Sequence, residues 1–471
     1  MLDYIKSTKQ ATPELQMTAE RFISLGYQRL LTFEAIDGGF CLHGNCPGDI
    51  FLSAYGLMEI NDMSRVYPVD EALIERTARW LLSHQNGDGS WQSKDYRASG
   101  TLATTAYVTW ALVEAGYGGQ AGVQRAVSYI SESARQEQDP YVLALVANAL
   151  VAYDSDASTA RWLVDHLEGM KVVDEGAVYW PTGARSFMGA SGESASIETT
   201  ALAAYAFVRA RAYPDSVQGA LTFLVRAKDS WGTWRTTQAT ILSLKALLLA
   251  ATGGSADAGG EGSVQVILNG EEAGRVEITE DNSDVVHLVA LSDAVRQGDN
   301  DLRLEVLQAG RSGKLNLMYQ ITAMYYLPWE QVPPDDMGGE AMSIEVAYDR
   351  TDIAVDDTVT VDVWVSLTKP GTARMAILDL GIPPGFEVLT EDLSALIAHT
   401  AEGETQVERY ELTGRQIILY LSNLNSEIPL RFRYRLRAKF PLRAKTASYQ
   451  VYDYYNPDVA ASQAPTEVEV H

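Results

Sequence analysis

The sequence has few of the residue patterns on which most enzymes and metal sites depend. Its 6 histidines are scattered, with no His-x-x-Glu-His or His-x-x-x-His spacing, and it contains neither a phosphate-binding loop nor a Gly-x-Ser-x-Gly turn. Runs of about 18 consecutive apolar residues, the length needed to cross a membrane, are also missing. We therefore expect no catalytic, cofactor-binding or metal-binding residues and no membrane-spanning segment.

Positive charge is scarce. The 37 lysines and arginines face 62 aspartates and glutamates, which gives a formal net charge of -25. Nucleic acid and anionic lipid surfaces repel such a protein. We therefore expect no nucleic-acid partner and no membrane contact. The acidic surface identifies no partner by itself, because net charge commonly serves solubility alone.

Cysteine is limited to Cys41 and Cys46, which lie in one short glycine-containing stretch. Inert thiols or a local disulfide are the favoured interpretations, and a disulfide requires an oxidising compartment. His43 lies between the two cysteines and raises the alternative of a zinc site. That alternative is disfavoured because no second pair of ligands is nearby in the sequence.

A repeated unit organises the first half of the chain. Residues 85–91 read Gln-Asn-Gly-Asp-Gly-Ser-Trp, and a helix of small residues begins at Thr101. Looser copies of this unit lie at 37–40, 178–180 and 231–234. Repetition at roughly 40–55 residues is typical of an array of helical hairpins. We expect the tryptophans to fill the ends between neighbouring hairpins.

Two kinds of helix alternate along residues 1–251. Inner helices are apolar or small on all sides, whereas outer helices are amphipathic and bury one face. The inner helices are predicted near 1–9, 47–61, 101–117, 140–153, 195–211 and 235–251, and the outer ones near 13–33, 70–84, 121–134, 157–167 and 215–227. This alternation predicts an α/α toroid, a closed ring of helical hairpins.

β-structure is predicted after a glycine-rich linker at 252–262. Residues 262–328 should form a small sheet with a hairpin at Asn269-Gly270, and its strands are predicted at 264–268, 276–278, 285–291, 302–307 and 315–326. So few strands look like a sheet that lacks partners. Residues 341–471 follow a second linker, and their apolar and polar residues alternate as in the strands of a β-sandwich. Strands are predicted there at 343–350, 358–367, 373–380, 416–421, 430–437 and 447–455, and a helix at 391–399. The predicted fold class is multidomain α + β.

Two polar features could carry chemistry or binding. Glu198, near the start of an inner helix, could act as a general acid, but a carboxylate stabilised by the helix dipole is the favoured interpretation. Four arginines alternate along one strand and suggest a basic stripe: Arg431, Arg433, Arg435 and Arg437. A solvated strand face is favoured over a ligand site there. We therefore commit to no site at either position.

The unit at 85–91 resembles the repeat of terpenoid cyclases, which share the α/α toroid. Those enzymes carry Asp-x-Asp-Asp or Asp-Asp-x-x-Asp strings, and neither occurs here. A toroidal enzyme of the terpenoid-cyclase or polysaccharide-processing type, with its site in the mouth of the toroid, is one alternative function. An adhesion or interaction module that uses the terminal sandwich is another.

Several short motifs occur in a fixed order along nearly the whole chain. They are Leu-Asp-Tyr at 2–4, Thr-Pro-Glu at 12–14, Gly-Tyr-Gln-Arg at 26–29, the helix at 233–247 and Val-Tyr-Asp-Tyr-Tyr at 451–455. Together they resemble the alpha-2-macroglobulin and complement thioester family. The resemblance implies three domains: a thioester-type α/α toroid at 1–251, the second part of a CUB-like domain at 262–328 and a receptor-binding, macroglobulin-like β-sandwich at 341–471.

The resemblance also implies a function. Members of this family are broad-spectrum protease inhibitors, so the expected chain is non-enzymatic, extracellular or periplasmic, and acts on target proteases. In the family a Gly-Cys-Gly-Glu-Gln motif forms a cysteine–glutamine thioester just upstream of the helix that ends in Leu-Asp-Tyr. Neither Cys41 nor Cys46 lies in such a motif. The thioester is therefore expected upstream of this chain, whose start looks like a cut inside a larger protein.

Two departures from the family pattern limit what the resemblance implies. Complement-type members carry a histidine that redirects the thioester to hydroxyls, and residues 92–100 contain none. A thioester in the longer protein should therefore prefer amines. Animal members bind a clearance receptor through two lysines on the sandwich helix. The aligned positions here are Thr390 and Ser394, with Glu391 and Asp392 beside them, so receptor binding is not supported and a bacterial-type homologue fits better.

Overall fold

A computed structural model of the chain forms two compact units, residues 1–321 and 322–471. The structure describes residues 13–41, 46–92, 100–229, 232–253, 262–279, 282, 287–309, 319–332, 339, 341–399 and 403–471. The predicted inner helix at 1–9 and the motifs at 2–4 lie outside these residues. Within the described residues no helix has the length and apolar character needed to cross a membrane.

Helices fill the first unit as far as Gly253. They are α1 (Pro13–Leu31), α2 (Ile50–Ser64), α3 (Glu71–Ser83), α4 (Thr101–Glu114), α5 (Ala121–Ser133), α6 (Pro140–Asp154), α7 (Ser158–Met170), α8 (Gly192–Ala210), α9 (Pro214–Arg226) and α10 (Thr237–Gly253). A short hairpin, β1 (Val172–Asp174) and β2 (Ala177–Tyr179), joins α7 to α8. The predicted helices are confirmed throughout the described part, with ends shifted by a few residues.

Burial separates the inner helices α2, α4, α6, α8 and α10 from the outer ones. All residues of α6 from Tyr141 to Val151 are buried, whereas α3 buries a single face. A helix that is apolar on all sides needs neighbours all round it. Successive inner helices contact one another, and each outer helix packs on an adjacent inner one. Lys245 of α10 forms an ion pair with Asp62 of α2 at 2.5 Å, which links the last inner helix to the first described one.

The predicted glycine turn is a specific structure that recurs. At residues 35–39, 86–90, 186–190 and 229–233, the first residue donates its N–H to the carbonyl of the fifth and accepts the N–H of the fourth. The fourth residue is always a glycine with positive φ, from 79° to 93°. Only glycine adopts that conformation without strain. At Gly89 a Cβ atom would also lie 2.7 Å from the Arg125 backbone.

The tryptophans tie consecutive helices together, as predicted. Those of the repeated unit are fully buried: Trp91, Trp180 and Trp234. Their indole Nε1–H groups donate to the carbonyls of Leu81, Leu167 and Leu224 near the ends of the preceding outer helices, at 2.7, 2.7 and 2.6 Å. Their backbone N–H groups donate to Thr105, Thr200 and Thr240 of the following inner helices, at 3.0, 3.2 and 3.0 Å. The same two hydrogen bonds therefore join each of these outer helices to the inner helix that follows it.

We expect Thr105→Val to destabilise the toroid by about 1–3 kcal/mol, because it leaves the buried Trp91 N–H without an acceptor. Thr105→Ser keeps the hydroxyl and should cost less. Thr109→Val is the matched control, since the equally buried Thr109 hydroxyl only donates back to the Thr105 carbonyl at 2.6 Å. Urea unfolding followed by tryptophan fluorescence measures the three variants. Equal losses for Thr105→Val and Thr109→Val would contradict the role assigned to the Trp91 bond.

A small antiparallel sheet follows the toroid in the first unit. Its strands are β3 (Gly262–Leu268), β4 (Glu271–Ile278) and β5 (Leu302–Ala309), in the order β4-β3-β5. The Asn269-Gly270 hairpin is confirmed, with φ of 55° and 86°. The strands predicted at 285–291 and 315–326 are wrong where they are described, since 287–291 and 319–326 form no strand. A strand needs a partner for its N–H and C=O groups, and alternation alone does not supply one.

The second unit is the predicted β-sandwich. Its strands are β6 (Met342–Tyr348), β7 (Asp352–Ile353), β8 (Thr358–Leu367), β9 (Thr372–Gly381), β10 (Phe386–Val388), β11 (Gln406–Leu412), β12 (Gln416–Asn425), β13 (Leu430–Ala438), β14 (Leu442–Lys445), β15 (Tyr449–Asp453), β16 (Asn456–Gln463) and β17 (Glu467–Val470), with one helix, α11 (Thr390–Ala398). The two larger sheets have the orders β10-β13-β8-β6 and β11-β12-β9-β15-β16. Alternate residues of β8 and β12 fill the core between them.

Candidate functional site

Aromatic rings fill the end of the toroid at which the inner helices begin. Phe187, from the segment before α8, stacks on Phe51 with ring centroids 4.6 Å apart. Its ring also meets Tyr107 edge-on at 5.5 Å and Tyr141 at 6.3 Å. These three partners come from the first two turns of α2, α4 and α6. We call Phe51, Tyr107, Tyr141 and Phe187 the aromatic plug.

The segment that carries Phe187 is fastened to the start of α6. The Asp139 carboxylate caps α6 by accepting the Tyr141 N–H at 2.9 Å. It also accepts the Thr182 hydroxyl at 2.8 Å and the Ala184 N–H at 3.1 Å. The Tyr141 hydroxyl accepts the Phe187 N–H at 3.0 Å. These bonds hold the aromatic plug in place across the inner-helix starts.

Glu198 lies beneath the plug and is completely buried. Neither carboxyl oxygen has a hydrogen-bond partner among the described residues. Burial raises the pKa of Glu198 to about 8, and the nearby Ser186 hydroxyl opposes that rise only weakly. Tyr55 and Tyr141 face the same carboxyl, and a charge on Glu198 would raise the pKa of both phenols further. Glu198 is therefore a neutral carboxylic acid at neutral pH.

The interpretation of Glu198 as a carboxylate stabilised by the helix dipole is wrong. The helix α8 begins at Gly192, three residues before the predicted start at 195, so Glu198 lies almost two turns inside it. A helix dipole acts mainly within the first turn and stabilises an ionised carboxylate. This carboxyl is instead a neutral group in an apolar environment. The sequence offered no sign of the plug above it, because Phe187 sits in no recognisable motif.

Ion pairs occupy the opposite end of the inner helices. Glu114 at the end of α4 pairs with Arg209 of α8 and accepts the Trp110 indole N–H at 3.0 Å. Lys245 and Asp62 form the neighbouring pair. Cavities of about 450 and 380 Å³ lie outside the ring of inner helices, the first between the β1–β2 hairpin, α8 and α9, and the second beside α7. Aromatic rings thus pack together near the starts of the inner helices, and ion pairs join these helices towards their other ends.

Cys41 and Cys46 are joined in a disulfide. The bridge closes the loop ahead of α2, and the Cys41 N–H donates to the Phe33 carbonyl at 2.9 Å. The zinc alternative is therefore wrong for these sulfurs, because a disulfide has no thiolate to bind a metal. His43 lies outside the described residues, and among the residues that are described no group of acidic, histidine and cysteine side chains could hold a metal ion.

The basic stripe of the sandwich is partly neutralised. Arg433 forms an ion pair with Asp362. Arg435 makes two bonds to the Asp392 carboxylate, at 2.9 and 2.8 Å. This pairing lowers the pKa of Asp392. Because Asp392 pairs with Arg435 of β13, part of the acidic surface predicted on α11 is neutralised. On the same helix the Ser394 hydroxyl donates to the Thr390 carbonyl at 2.9 Å.

Two known protein-family models match this chain. A family model described as the A-macroglobulin TED domain matches residues 1–249. The chain belongs to the A-macroglobulin family. A second model, the A-macroglobulin receptor binding domain, matches residues 371–465. The two matches fall on the toroid and on the sandwich, in the order that the sequence motifs predict.

Relatives of this A-macroglobulin chain are distant but cover it almost entirely. Ovostatin of Gallus gallus is 24% identical over 484 residues, which span 97% of this chain and 31% of that protein. Thioester-containing protein 1 allele R1 of Anopheles gambiae is 24% identical, over 98% of this chain and 33% of that protein. The native conformation of Escherichia coli alpha-2-macroglobulin shares the fold, with a TM-score of 0.64 at 18% identity over 100% of this chain and 29% of its own. The chain therefore spans about a third of the length of the relatives it matches.

Proposed function

We propose that this chain is the C-terminal part of a longer A-macroglobulin that inhibits proteases by trapping them. The observation that carries the proposal is the pair of family matches, on the toroid and on the sandwich. The relatives extend well beyond the matched region, which supports a larger parent whose thioester-forming motif lies upstream of residue 1. The departures at residues 92–100 and on the sandwich helix favour a bacterial-type protein.

The side chains packed at the two ends of the inner helices support a non-enzymatic role. An α/α toroid that works as an enzyme needs a pocket at its mouth, with polar groups that converge on a substrate. Here Phe187 and its partners occupy one end of the inner helices, and ion pairs occupy the other. We therefore place the toroid as the carrier of the reactive segment.

The cysteine bridge supports an extracellular or periplasmic location. Disulfides persist in secreted and periplasmic proteins and are rare in reducing compartments. Cys41 is 3% exposed, and the bridge lies in the loop that positions Asp49, whose carboxylate caps α2 by accepting the Leu52 N–H at 2.9 Å. A bond in such a place contributes to the stability of the first described inner helix.

The small sheet fits the second part of a CUB-like domain at 262–328. Apolar side chains of β5 are exposed, with Val306 at 53% and Leu307 at 47%. Such a surface needs cover. We propose that strands from upstream of the toroid provide it.

Trapping is testable on the full-length protein that contains this chain. After incubation with trypsin, we expect digestion of casein to fall sharply while cleavage of a tripeptide substrate persists, because a trapped protease is hidden only from large substrates. The 471-residue chain alone is the control and should leave both activities unchanged. Equal retention of both activities by trypsin with the full-length protein would overturn the proposal.

A second experiment addresses the chemistry of the thioester. Because residues 92–100 supply no histidine, we expect labelled methylamine to be incorporated into the full-length protein while labelled glycerol is not. A variant with alanine in place of the upstream thioester cysteine is the control and should take up neither label. Glycerol incorporation at a rate similar to that of methylamine would show that amine preference is wrong.

A further inference from the structure

The outward face of the five-stranded sheet of the sandwich carries a carboxylate one row away from a pair of tyrosines. In β9, the central strand, Ala376, Leu378 and Leu380 belong to the core, so the alternate residues Ile377 and Asp379 point outward. Ile377 lies directly between Tyr420 of β12 and Tyr452 of β15. In the next row Asp379 lies between Ile418 and Gln450.

Asp379 has no charged partner among the residues that the structure describes. Its Oδ1 atom is inaccessible to solvent and has no hydrogen-bond partner among the described residues. Burial alone raises the pKa of its carboxyl, with no neighbouring cation to oppose the rise. Arg409 of β11 lies 3.9 Å from the centre of the Tyr420 ring and pairs with Glu411 at 3.4 Å. The carboxylate is thus half-buried and uncompensated.

Tyrosines lie near this carboxylate in the neighbouring row. Burial raises the pKa of Tyr452, and the charges of Asp379, Tyr420 and Tyr454 add to the effect, which places all four groups together. Ile377 between the rings is only 3% exposed, whereas Tyr454 is 45% exposed. The Asp453 carboxylate fixes the following turn by accepting the Tyr455 N–H at 2.8 Å. The Val-Tyr-Asp-Tyr-Tyr motif therefore builds part of one surface.

We propose that the tyrosine–carboxylate surface, made of Asp379, Tyr420, Tyr452 and Tyr454, receives a lysine or arginine side chain of a protein partner. A cation supplies the countercharge that Asp379 lacks. Tyrosine faces attract cations, and Tyr452 and Tyr454 offer such faces, whereas the Tyr420 ring already holds Arg409 and borders the surface. An anionic ligand is disfavoured because it would face the carboxylate. The outward row crosses β12, β9 and β15, which lie about 4.8 Å apart, so the surface is wider than a free amine and suits a side chain presented by a protein.

The test uses the 471-residue chain with ¹³C-labelled tyrosine rings and three peptides. The probes are acetyl-Ala-Ala-Lys-Ala-Ala-amide, its arginine analogue and its norleucine analogue, which keeps the alkyl chain without the charge. We expect the lysine and arginine peptides to shift the ring signals of Tyr420 and Tyr452 in a saturable way that weakens with salt. The norleucine peptide should produce no saturable shift.

Variants assign the binding to Asp379. Asp379→Asn should weaken the lysine peptide about tenfold, because it removes the charge and keeps the shape. Asp362→Asn, on the other large sheet, is the matched control and should leave binding unchanged. Thermal unfolding of each variant checks that the sandwich is intact. Equal shifts with norleucine, an unaffected Asp379→Asn variant, or ring signals that move with chain concentration alone would each overturn the proposal, the last because the face would then bind a second copy.

Discussion

Replacing Glu198 by glutamine should stabilise the toroid by about 3 kcal/mol at about pH 7. The folded protein holds this carboxyl at a pKa of about 8, against an ordinary value of 4.5. Glu198 therefore releases its proton when the chain unfolds at neutral pH, and that release favours the unfolded state. Glutamine keeps the shape and the lack of charge but has no proton to release, so the cost disappears.

The pH dependence follows from the same difference. Between 4.5 and about 8 the folded state binds more protons than the unfolded state, so stability falls as pH rises through this window. Below the window both states are protonated and the cost vanishes, and above it the cost is complete. We expect the advantage of Glu198→Gln to be about 1 kcal/mol at about pH 5.5 and to approach about 5 kcal/mol above pH 8. Urea unfolding at several pH values measures both chains.

Glu193 provides a control on the same helix. Its carboxylate is half exposed and pairs with Arg235 at 2.8 Å. Removal of an exposed ion pair costs about 0–1 kcal/mol, so Glu193→Gln should be neutral or slightly destabilising and should not become more favourable with pH. A loss of stability in Glu198→Gln at neutral pH would show that Glu198 is ionised and paired with a group beyond the described residues.

The neutral state of Glu198 could not be predicted from the sequence, whereas the helices around it could. The small and apolar character of the inner helices depends on local spacing, so their alternation with amphipathic helices could be predicted from the sequence. The neutral state of Glu198 depends on its burial beside Tyr55, Tyr141 and Ser186, which come from three distant segments. No local pattern records such convergence. The turn at 186–190 was missed for a related reason, since its bonds match those at 86–90 while its sequence does not.

In the small sheet the sequence predicts strands that the described residues do not form. Alternation at 285–291 and 315–326 predicts strands, yet the described parts of both stretches form none. Period-2 alternation reports which side chains could share a face, but a strand forms only where another strand accepts its backbone bonds. The Asn269-Gly270 hairpin was predictable because its partner strands are adjacent in the sequence. Partners that lie far away, or upstream of the chain, leave no such signal.

The largest single losses of stability are expected at the three tryptophans of the repeated unit. Each of Trp91→Ala, Trp180→Ala and Trp234→Ala should destabilise the toroid by about 3–5 kcal/mol, since each leaves a cavity where an indole filled the end of a hairpin. The substitution also leaves the carbonyl of a leucine near the end of an outer helix without its indole donor. Trp162→Ala is the control, because the Trp162 ring on outer helix α7 is only partly buried and stacks on His166 at 5.3 Å.

Comparison of the three sites tests whether the repeat is a structural unit. If the same two bonds close each connection, the three alanine variants should lose similar free energies, and the three phenylalanine variants should lose about 1–3 kcal/mol each for the indole bond and the smaller ring. Circular dichroism and urea unfolding measure all seven chains. A large loss at Trp91 with small losses at Trp180 and Trp234 would mean that the stability of the toroid depends on one turn. The looser copies of the motif at 85–91 would then not contribute equally to the free energy of unfolding.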